Sequence, residues 1–453
     1  MSSLPLMVHR QPDAVMAWCG GVPVSAGQFL AEVGYIAGRL PPGQHVLNLC
    51  DDRYRFTVAL AACIVSGRVS LLPSTHTPEM VRQMQRIAPD VFCIVDKDEG
   101  GADLPVFRYP ASLPSQAATP VVPDIDGEQV IAQVFTSGSS GVPVPHAKRW
   151  GSLVRNVRAE AERLGIGASH ALLGTVPPQH MYGLESTVLM PLQCGAALHA
   201  GRPFYPADIC AALEELPRPR VLVTTPYHLR VLLADPSVLP AADQLLSATA
   251  PLSQALARDA EARFGAVLHE IYGSTETGQI ASRQTAVRTE WQTLPDVRVR
   301  RDGEALWAEG GHLDKPIRLA DVIALTGSDV ESTTFLLHGR HADLVNIAGK
   351  RTSLAYLNHQ LNAIPGVVDG VFLLPREDGA EHVGRLTALV VAPGLTAAAL
   401  VAALRERIDP VFLPRPLLFV DALPRNATGK LPSQFVQNLQ ATLQKPPHAG
   451  MST

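Results

Sequence analysis

The stretch VFTSGSSGVPVPHAKRW, residues 134–150, joins an apolar, strand-like run to a basic and aromatic end through four hydroxyl side chains and two glycines. Small residues directly after the run QVIAQVF (129–135) can turn the chain so that backbone N–H groups converge on an anion. The hydroxyls of Thr136, Ser137, Ser139 and Ser140 would converge with them. That chemistry describes a phosphate cradle; taken alone, the same residues also fit a plain Gly/Ser turn. The P-loop pattern is absent, because no Lys-Ser or Lys-Thr follows Gly141. A kinase-like reading therefore loses ground.

Outward from the cradle, short β-branched runs alternate with Ala/Leu/Arg-rich helical stretches. HVLNLC (45–50) precedes RYRFTVALAACIVSG (53–67), and RVLVTTP (220–226) precedes YHLRVLLADP (227–236). This alternation predicts α/β layers with largely parallel strands. A Pro-rich passage, 105–123, reads as a surface connection between two lobes of one large unit. After HGRHADLVNIAGKR (338–351) the pattern restarts with VVDGVFLLP and RLTALVVAPG, enough for a small α+β domain. The expected division is a large N-terminal domain over 1–339, a hinge over 340–344 and a small, mobile C-terminal domain over 345–453.

With 453 residues, 46% of them apolar and only 18% charged, the chain can bury several cores. A net charge of −4 without a dense Lys/Arg block excludes the electrostatic footprint of a nucleic-acid binder. The six cysteines are scattered with no C-x-x-C spacing, which argues against a disulfide framework or zinc site and for a reducing cytoplasm. The N-terminus lacks the apolar core of a secretory signal. FTVALAACIVSG (56–67) is too short to cross a bilayer and reads as a buried helix, so no stable membrane insertion is expected.

Four segments in one order, TSGSSGVP (136–143), EIYGSTETG (270–278), HGRHADLVNIAGKR (338–351) and LPRNATGKL (423–431), resemble the signature set of the adenylate-forming superfamily. That superfamily contains acyl-CoA and aryl-CoA synthetases, peptide-synthetase adenylation domains and luciferases. The resemblance implies the two-domain fold just described and an acid–thiol ligase that uses ATP and Mg²⁺. Its acceptor would be CoA or the phosphopantetheine of an acyl carrier protein.

By resemblance, Thr136, Ser137, Gly138, Ser139, Ser140 and Gly141 hold the β- and γ-phosphates of ATP. SATAPLS (247–253) lines adenine and acyl group through Ala248, Thr249 and Ala250, while Tyr272, Gly273 and Ser274 border the adenine. Thr275 contacts the α-phosphate and Glu276 holds the metal. Asp321, in RLADVIAL, binds ribose with Arg340 as its companion, and Lys430 is the catalytic lysine of the small domain. The catalytic set implied is thus Lys430, Thr275, Glu276 and His180. In VPPQHMYGLE (176–185), His180, Tyr182 and Gly183 border the acid, with Thr225, Pro226, Ala248 and Thr249 completing the wall.

Lysine chemistry is needed because a carboxylate attacking the α-phosphorus builds negative charge there, which a fixed cation stabilises most in the transition state.

Two departures stand out. Val144 follows Pro143 where many members place lysine, and Lys148 either reaches back to the phosphates or lies solvated on the surface. At the hinge, Ala342 replaces the usual acid; either Asp343 takes part of its role or the hinge is more permissive. The compact length looks most like small stand-alone members of polyene pigment and aryl-acid pathways, which activate a benzoate-type acid such as 4-hydroxybenzoate. A medium- or long-chain fatty acyl-CoA or acyl-AMP ligase is the alternative, and a non-catalytic nucleotide-binding relative a second one.

Overall fold

The structure is a computed structural model that describes residues 3–73, 76–97, 104–111, 113, 121–137, 143–235, 238–340, 344–347, 350–374, 386–426, 431–432 and 435. Among these, two large sheets enclose the main core. The first sheet has six strands, in the order Pro143–Arg149, Val130–Ser137, Val69–Leu72, His45–Asn48, Phe92–Val95 and Val106–Arg108. Its neighbours pair in parallel except for the hairpin that carries the cradle. Val106–Arg108, expected within a connection, is instead its edge strand.

Between the sheets lies the helix Arg53–Val65, begun by Asp52, whose carboxylate accepts from the Arg55 N–H at 2.9 Å. Eleven of its thirteen residues are buried, so the apolar run at 56–67 is the core helix its composition implies. Phe56, Leu60 and Ile64 share one cluster with Val46 and Ile94 of the first sheet and Leu172 and Val221 of the second. Burying each such large side chain contributes about 2 kcal/mol. Arg53 is itself fully buried. Its guanidinium donates to the carbonyls of Gly174 at 2.7 Å and Val176 at 2.9 Å, and to the Thr187 hydroxyl.

The second sheet has eleven strands. Its centre is a parallel run through Val267–Ser274, Gln244–Ser247, Arg220–Thr224, Ala171–Gly174, Ala197–His199 and Val15–Cys19. Their central positions, Leu172–Leu173, Val221–Val223 and Leu245–Leu246, are apolar because they alternate between two cores, one on each face of the sheet. Beyond Val267–Ser274 the pairing turns antiparallel through Gly278–Arg283, Trp291–Thr293, Thr334–Arg340 and Asp321–Leu325. A separate four-stranded antiparallel sheet spans 297–332. The expectation of largely parallel sheets thus holds for the first two hundred and seventy or so residues and gives way to a mixed arrangement after them. The change begins at the hairpin in which Ser274 pairs with Gly278, and the separate sheet adds a two-residue hairpin turn, Gly303-Glu304, with Gly303 at φ +59°, between strands Val297–Asp302 and Ala305–Gly310.

After residue 353 a separate core forms around Leu357, Leu361, Phe372, Val390, Leu400 and Leu404. Helices Leu354–Asn362 and Ala397–Arg405 pack on the strands Asp369–Leu373, Thr387–Val391 and Leu417–Phe419, an α+β arrangement. Asp369 takes a two-pronged ion pair from Arg425, at 2.6 and 2.7 Å, and lies 3.9 Å from Arg230 of the larger region. Among the described residues no helix is long and apolar enough to cross a membrane, and all six cysteines are free thiols.

Candidate active site

Four neighbouring strands, Ala171–Gly174, Arg220–Thr224, Gln244–Ser247 and Val267–Ser274, run in one direction. The residues that follow them, 175–183, 225–226, 248–250 and 275–277, therefore collect along one edge of the sheet. That edge, outside the carboxyl ends of parallel strands, is where open α/β sheets hold ligands.

The turn after Val267–Ser274 is held by a reciprocal pair of bonds. The Ser274 N–H donates to the Thr277 hydroxyl oxygen at 3.0 Å, and the Thr277 N–H donates to the Ser274 hydroxyl oxygen at 3.2 Å. Gly273 has to be glycine, since a Cβ there would lie 2.1 Å from the Gly278 carbonyl oxygen. Thr275 and Glu276 thus sit at the tip of a tight hairpin in which Ser274 pairs with Gly278. Burial acts to raise the Glu276 carboxyl. The backbone N–H of Glu276, the Ser274 hydroxyl and the charges of His146 and Lys148 outweigh it and hold the group below its usual range. A half-exposed, ionised carboxylate of this kind fits a hard divalent cation such as Mg²⁺.

The cradle lies on the hairpin Val130–Ser137 and Pro143–Arg149, with Pro143 opposite Ser137 and Val144 opposite Thr136. Gly138, Ser139, Ser140 and Gly141 fall outside the described residues, and of Ser137 only the backbone is described. Strand alternation puts Thr136, His146 and Lys148 on one face. His146 Nε2 shares a hydrogen bond with Thr136 Oγ1 at 2.9 Å and stands 3.8 Å from Glu276 Oε1. His146 was not anticipated; its position two residues from Val144 on a strand facing the cradle is the signal that would have found it. Lys148 pairs with Ala132, five residues and about 16 Å along the strand from Pro143. Its ammonium donates to the Thr275 carbonyl and, at 3.4 Å, to that of Glu276. Neither of the two roles expected for Lys148 describes this contact.

Tyr272 donates its phenol proton to Asp321 Oδ2 at 2.6 Å, while its ring packs against Phe335 and Trp291 at centroid distances of 5.7 and 5.6 Å. It belongs to the core and reaches the site at once. Asp321 stands opposite Arg340 in the antiparallel ladder, so the register brings the expected partners side by side. The Arg340 side chain, together with Ala342, Asp343 and Lys430, lies outside what is described.

On the other flank, His180 precedes the one-turn helix Met181–Leu184 and Tyr182 is buried within it. Burial pushes the Tyr182 phenol well up. Gly183 is sterically required, because a Cβ would meet the Pro177 carbonyl oxygen at 1.9 Å. Thr225 caps the helix Pro226–Ala234, accepting from the His228 N–H at 3.3 Å. Beside it lies a buried polar cluster missed in the sequence. Thr175 Oγ1 is 3.0 Å from Thr224 Oγ1, and His228 Nδ1 is 3.1 Å from both Thr175 Oγ1 and Thr225 Oγ1. Burial lowers His228 to about 4, so the imidazole is neutral. Ala248 is buried, and Thr249 adopts φ +79° just before Ala250. For a β-branched residue that conformation stores about 1–3 kcal/mol and marks ligand-facing segments.

A family profile described as AMP-binding enzyme matches residues 7–304. The chain belongs to this family. Three curated relatives of this AMP-binding enzyme are acid–thiol ligases. A 4-coumarate–CoA ligase of Rhodobacter capsulatus is 30% identical over 65% of this chain and 73% of its own. A 3-hydroxybenzoate–CoA/4-hydroxybenzoate–CoA ligase of Thauera aromatica is 26% identical over 88% of both chains. The fatty acid–[acyl-carrier-protein] ligase ScoC of Streptomyces coeruleorubidus is 24% identical over 93% of both. Among solved structures, ATP-bound MatB from Rhodopseudomonas palustris matches with a TM-score of 0.81 at 20% identity, over 96% of this chain and 97% of that one. The fold is therefore that of the adenylate-forming enzymes.

Proposed function

We propose that this AMP-binding enzyme activates an aromatic carboxylic acid, with 4-hydroxybenzoate the first to test, and passes it to a thiol. A carboxylate oxygen would bond to the α-phosphorus of ATP as the bond to pyrophosphate breaks. A thiolate sulfur of CoA or of a carrier protein's phosphopantetheine would then bond to the acyl carbon, and the carbon–oxygen bond to AMP would break. The observation that carries the reading is the gathering of 175–183, 225–226, 248–250 and 275–277 along one sheet edge.

Within it, Glu276 would hold Mg²⁺, whose charge, when bound, offsets that of the phosphate oxygens. Thr136, with Ser137, Gly138, Ser139, Ser140 and Gly141, would bind the outer phosphates. Asp321, kept in place by Tyr272, would take the ribose hydroxyls together with Arg340. Lys430 would approach the α-phosphate as the small domain turns about a hinge containing Ala342 and Asp343. His180, Tyr182 and Gly183 would border the acid.

An aromatic acid with a ring hydroxyl is favoured by the neutral Thr175–Thr224–Thr225–His228 cluster, which offers hydroxyl and imidazole partners without a competing charge. The 4-coumarate and hydroxybenzoate names of two relatives support the same choice. A fatty acid is the second reading, favoured by the carrier-protein ligase that matches nearly the whole chain.

Pyrophosphate exchange over a panel of acids, followed by thioester formation on CoA and on a carrier protein, tests both. Exchange with hydroxylated benzoates is expected. Exchange confined to aliphatic acids would overturn the aromatic reading, and none with any acid would overturn the ligase.

A further inference from the structure

We infer that Lys148 is a positioning residue that fastens the Thr275–Glu276 backbone to the phosphate-binding hairpin, with the buried carboxyl of Glu185 behind it. The inference rests on the adenylation reading above and adds a component which that reading does not contain.

Lys148 reaches across from its strand to two successive carbonyl oxygens, those of Thr275 and Glu276, which lie 127 and 128 residues further along the chain. Both carbonyls belong to the residues proposed to meet the α-phosphate and the metal. Carbonyls at a hairpin tip ordinarily face water and move with it; a side-chain donor fixed on a neighbouring sheet removes that freedom. The contact therefore sets where the Thr275 hydroxyl and the Glu276 carboxylate point relative to Thr136 and His146 on the hairpin.

Burying an ammonium is costly unless charge of the opposite sign accompanies it. The carboxylate of Glu185, beyond ion-pair distance, and that of Glu276 act in this sense. Glu185 is 1% exposed and opens the π-helical turn Glu185–Leu189, directly after the segment proposed to border the acid. A Cβ at Gly278 would lie 2.7 Å from Glu185 Oε1, so the carboxyl sits immediately beneath the signature hairpin and glycine makes room for it. Burial pushes Glu185 up and Lys148 down, and each charge opposes the shift of the other. Packing alone would be served better by two apolar side chains of similar volume. The pair spans three elements at once: the phosphate hairpin, the signature hairpin and the acid-bordering segment.

The test uses the full-length protein, the acid from the panel that gives exchange, and the variants Lys148→Met, Lys148→Arg and Lys148→Met/Glu185→Met. The expected result for Lys148→Met is a kcat for pyrophosphate exchange about 10- to 100-fold lower, as displacement of positioned groups by a fraction of an ångström produces. Half-saturating Mg²⁺ should rise, with the KM for the acid changing less than about threefold. Lys148→Arg, which keeps a donor for both carbonyls, should recover most of the rate. The double variant should regain the melting temperature lost by the single one while its rate and Mg²⁺ requirement stay impaired.

A double variant that recovers rate together with stability would reduce the pair to packing and overturn the proposal. So would a Lys148→Met enzyme with wild-type rate and Mg²⁺ dependence. A wild-type chain without exchange for any acid is seen before the variants are made and strikes at the ligase reading instead. The rise in melting temperature with MgATP then decides: a smaller rise in Lys148→Met supports the anchor, and an equal rise overturns it.

Discussion

Along the edge of the eleven-stranded sheet, several polar groups near the candidate site are held by neighbours. Tyr272 holds Asp321, Ser274 and Thr277 hold each other, and His228 is fixed between Thr175 and Thr225. The region from Leu354 onward keeps its own core, and one of its charge contacts with the larger region is the 3.9 Å approach of Arg230 to Asp369. The contrast separates two tasks. Groups that bind nucleotide and acid gain from being fixed before the ligand arrives, because no reorganisation is then needed. A cation needed in one half-reaction and in the way during the other is better carried on a body with a core of its own.

If that division is right, the largest effect belongs to the carried group. Lys430→Ala should lower adenylate formation by about 100- to 1,000-fold while ATP affinity changes little. Exchange kinetics beside a direct ATP titration would show it, and parallel loss of both would mean that Lys430 is merely another fixed binding group.

Next comes the acid sensitivity of the fixed edge. His228 takes up a proton at about 4 in the folded chain and near 6.5 when unfolded. Between those values the unfolded state binds more protons, so stability must fall as the pH drops from 6.5 toward 4. The contribution is about 2 kcal/mol at pH 5. His228→Asn should flatten the dependence of the urea midpoint on pH between 7 and 5; an unchanged slope would remove His228 from the account.

Tyr272→Phe keeps the ring against Trp291 and Phe335 but deletes a bond to a carboxylate, worth about 1.5 kcal/mol. A rise of about tenfold in the KM for ATP is expected, with the melting temperature nearly unchanged. The smallest effect is reserved for the contact between the regions. Arg230→Ala should cost under about 1 kcal/mol of stability and move the ratio of adenylation to thioester rates by less than about threefold. A loss comparable with that of Lys430→Ala would show that the second region is as firmly set as the first.

Much of the sheet edge was legible because its chemistry leaves few residue choices. Gly183 and Gly273 face a carbonyl too close for any Cβ, so glycine is dictated there. The runs HVLNLC and RVLVTTP could be read as strands of a parallel α/β layer because each is followed by a helical stretch. Of the buried cluster only Thr225 was named from the sequence; His228, Thr175 and Thr224 are each unremarkable alone, and their meeting depends on adjacent strands ending in register. Lys148 could not be placed either, since its partners are main-chain carbonyls, which no side-chain pattern announces. The antiparallel sheet over 297–332 did leave a mark, the Gly303-Glu304 turn between alternating strands, but the parallel rhythm before it dominated the reading.

The buried guanidinium of Arg53, bonded to the carbonyls of Gly174 and Val176, bears on how this chain could be recombined with others. The helix it starts connects two strands of the first sheet, whereas the carbonyls it satisfies lead into the segment proposed to border the acid. Grafting onto the remainder a first sheet that lacks this arginine would strip those oxygens of their donor just before the segment proposed to border the acid. A functional hybrid has to bring an equivalent arginine with it or place its junction beyond Val176.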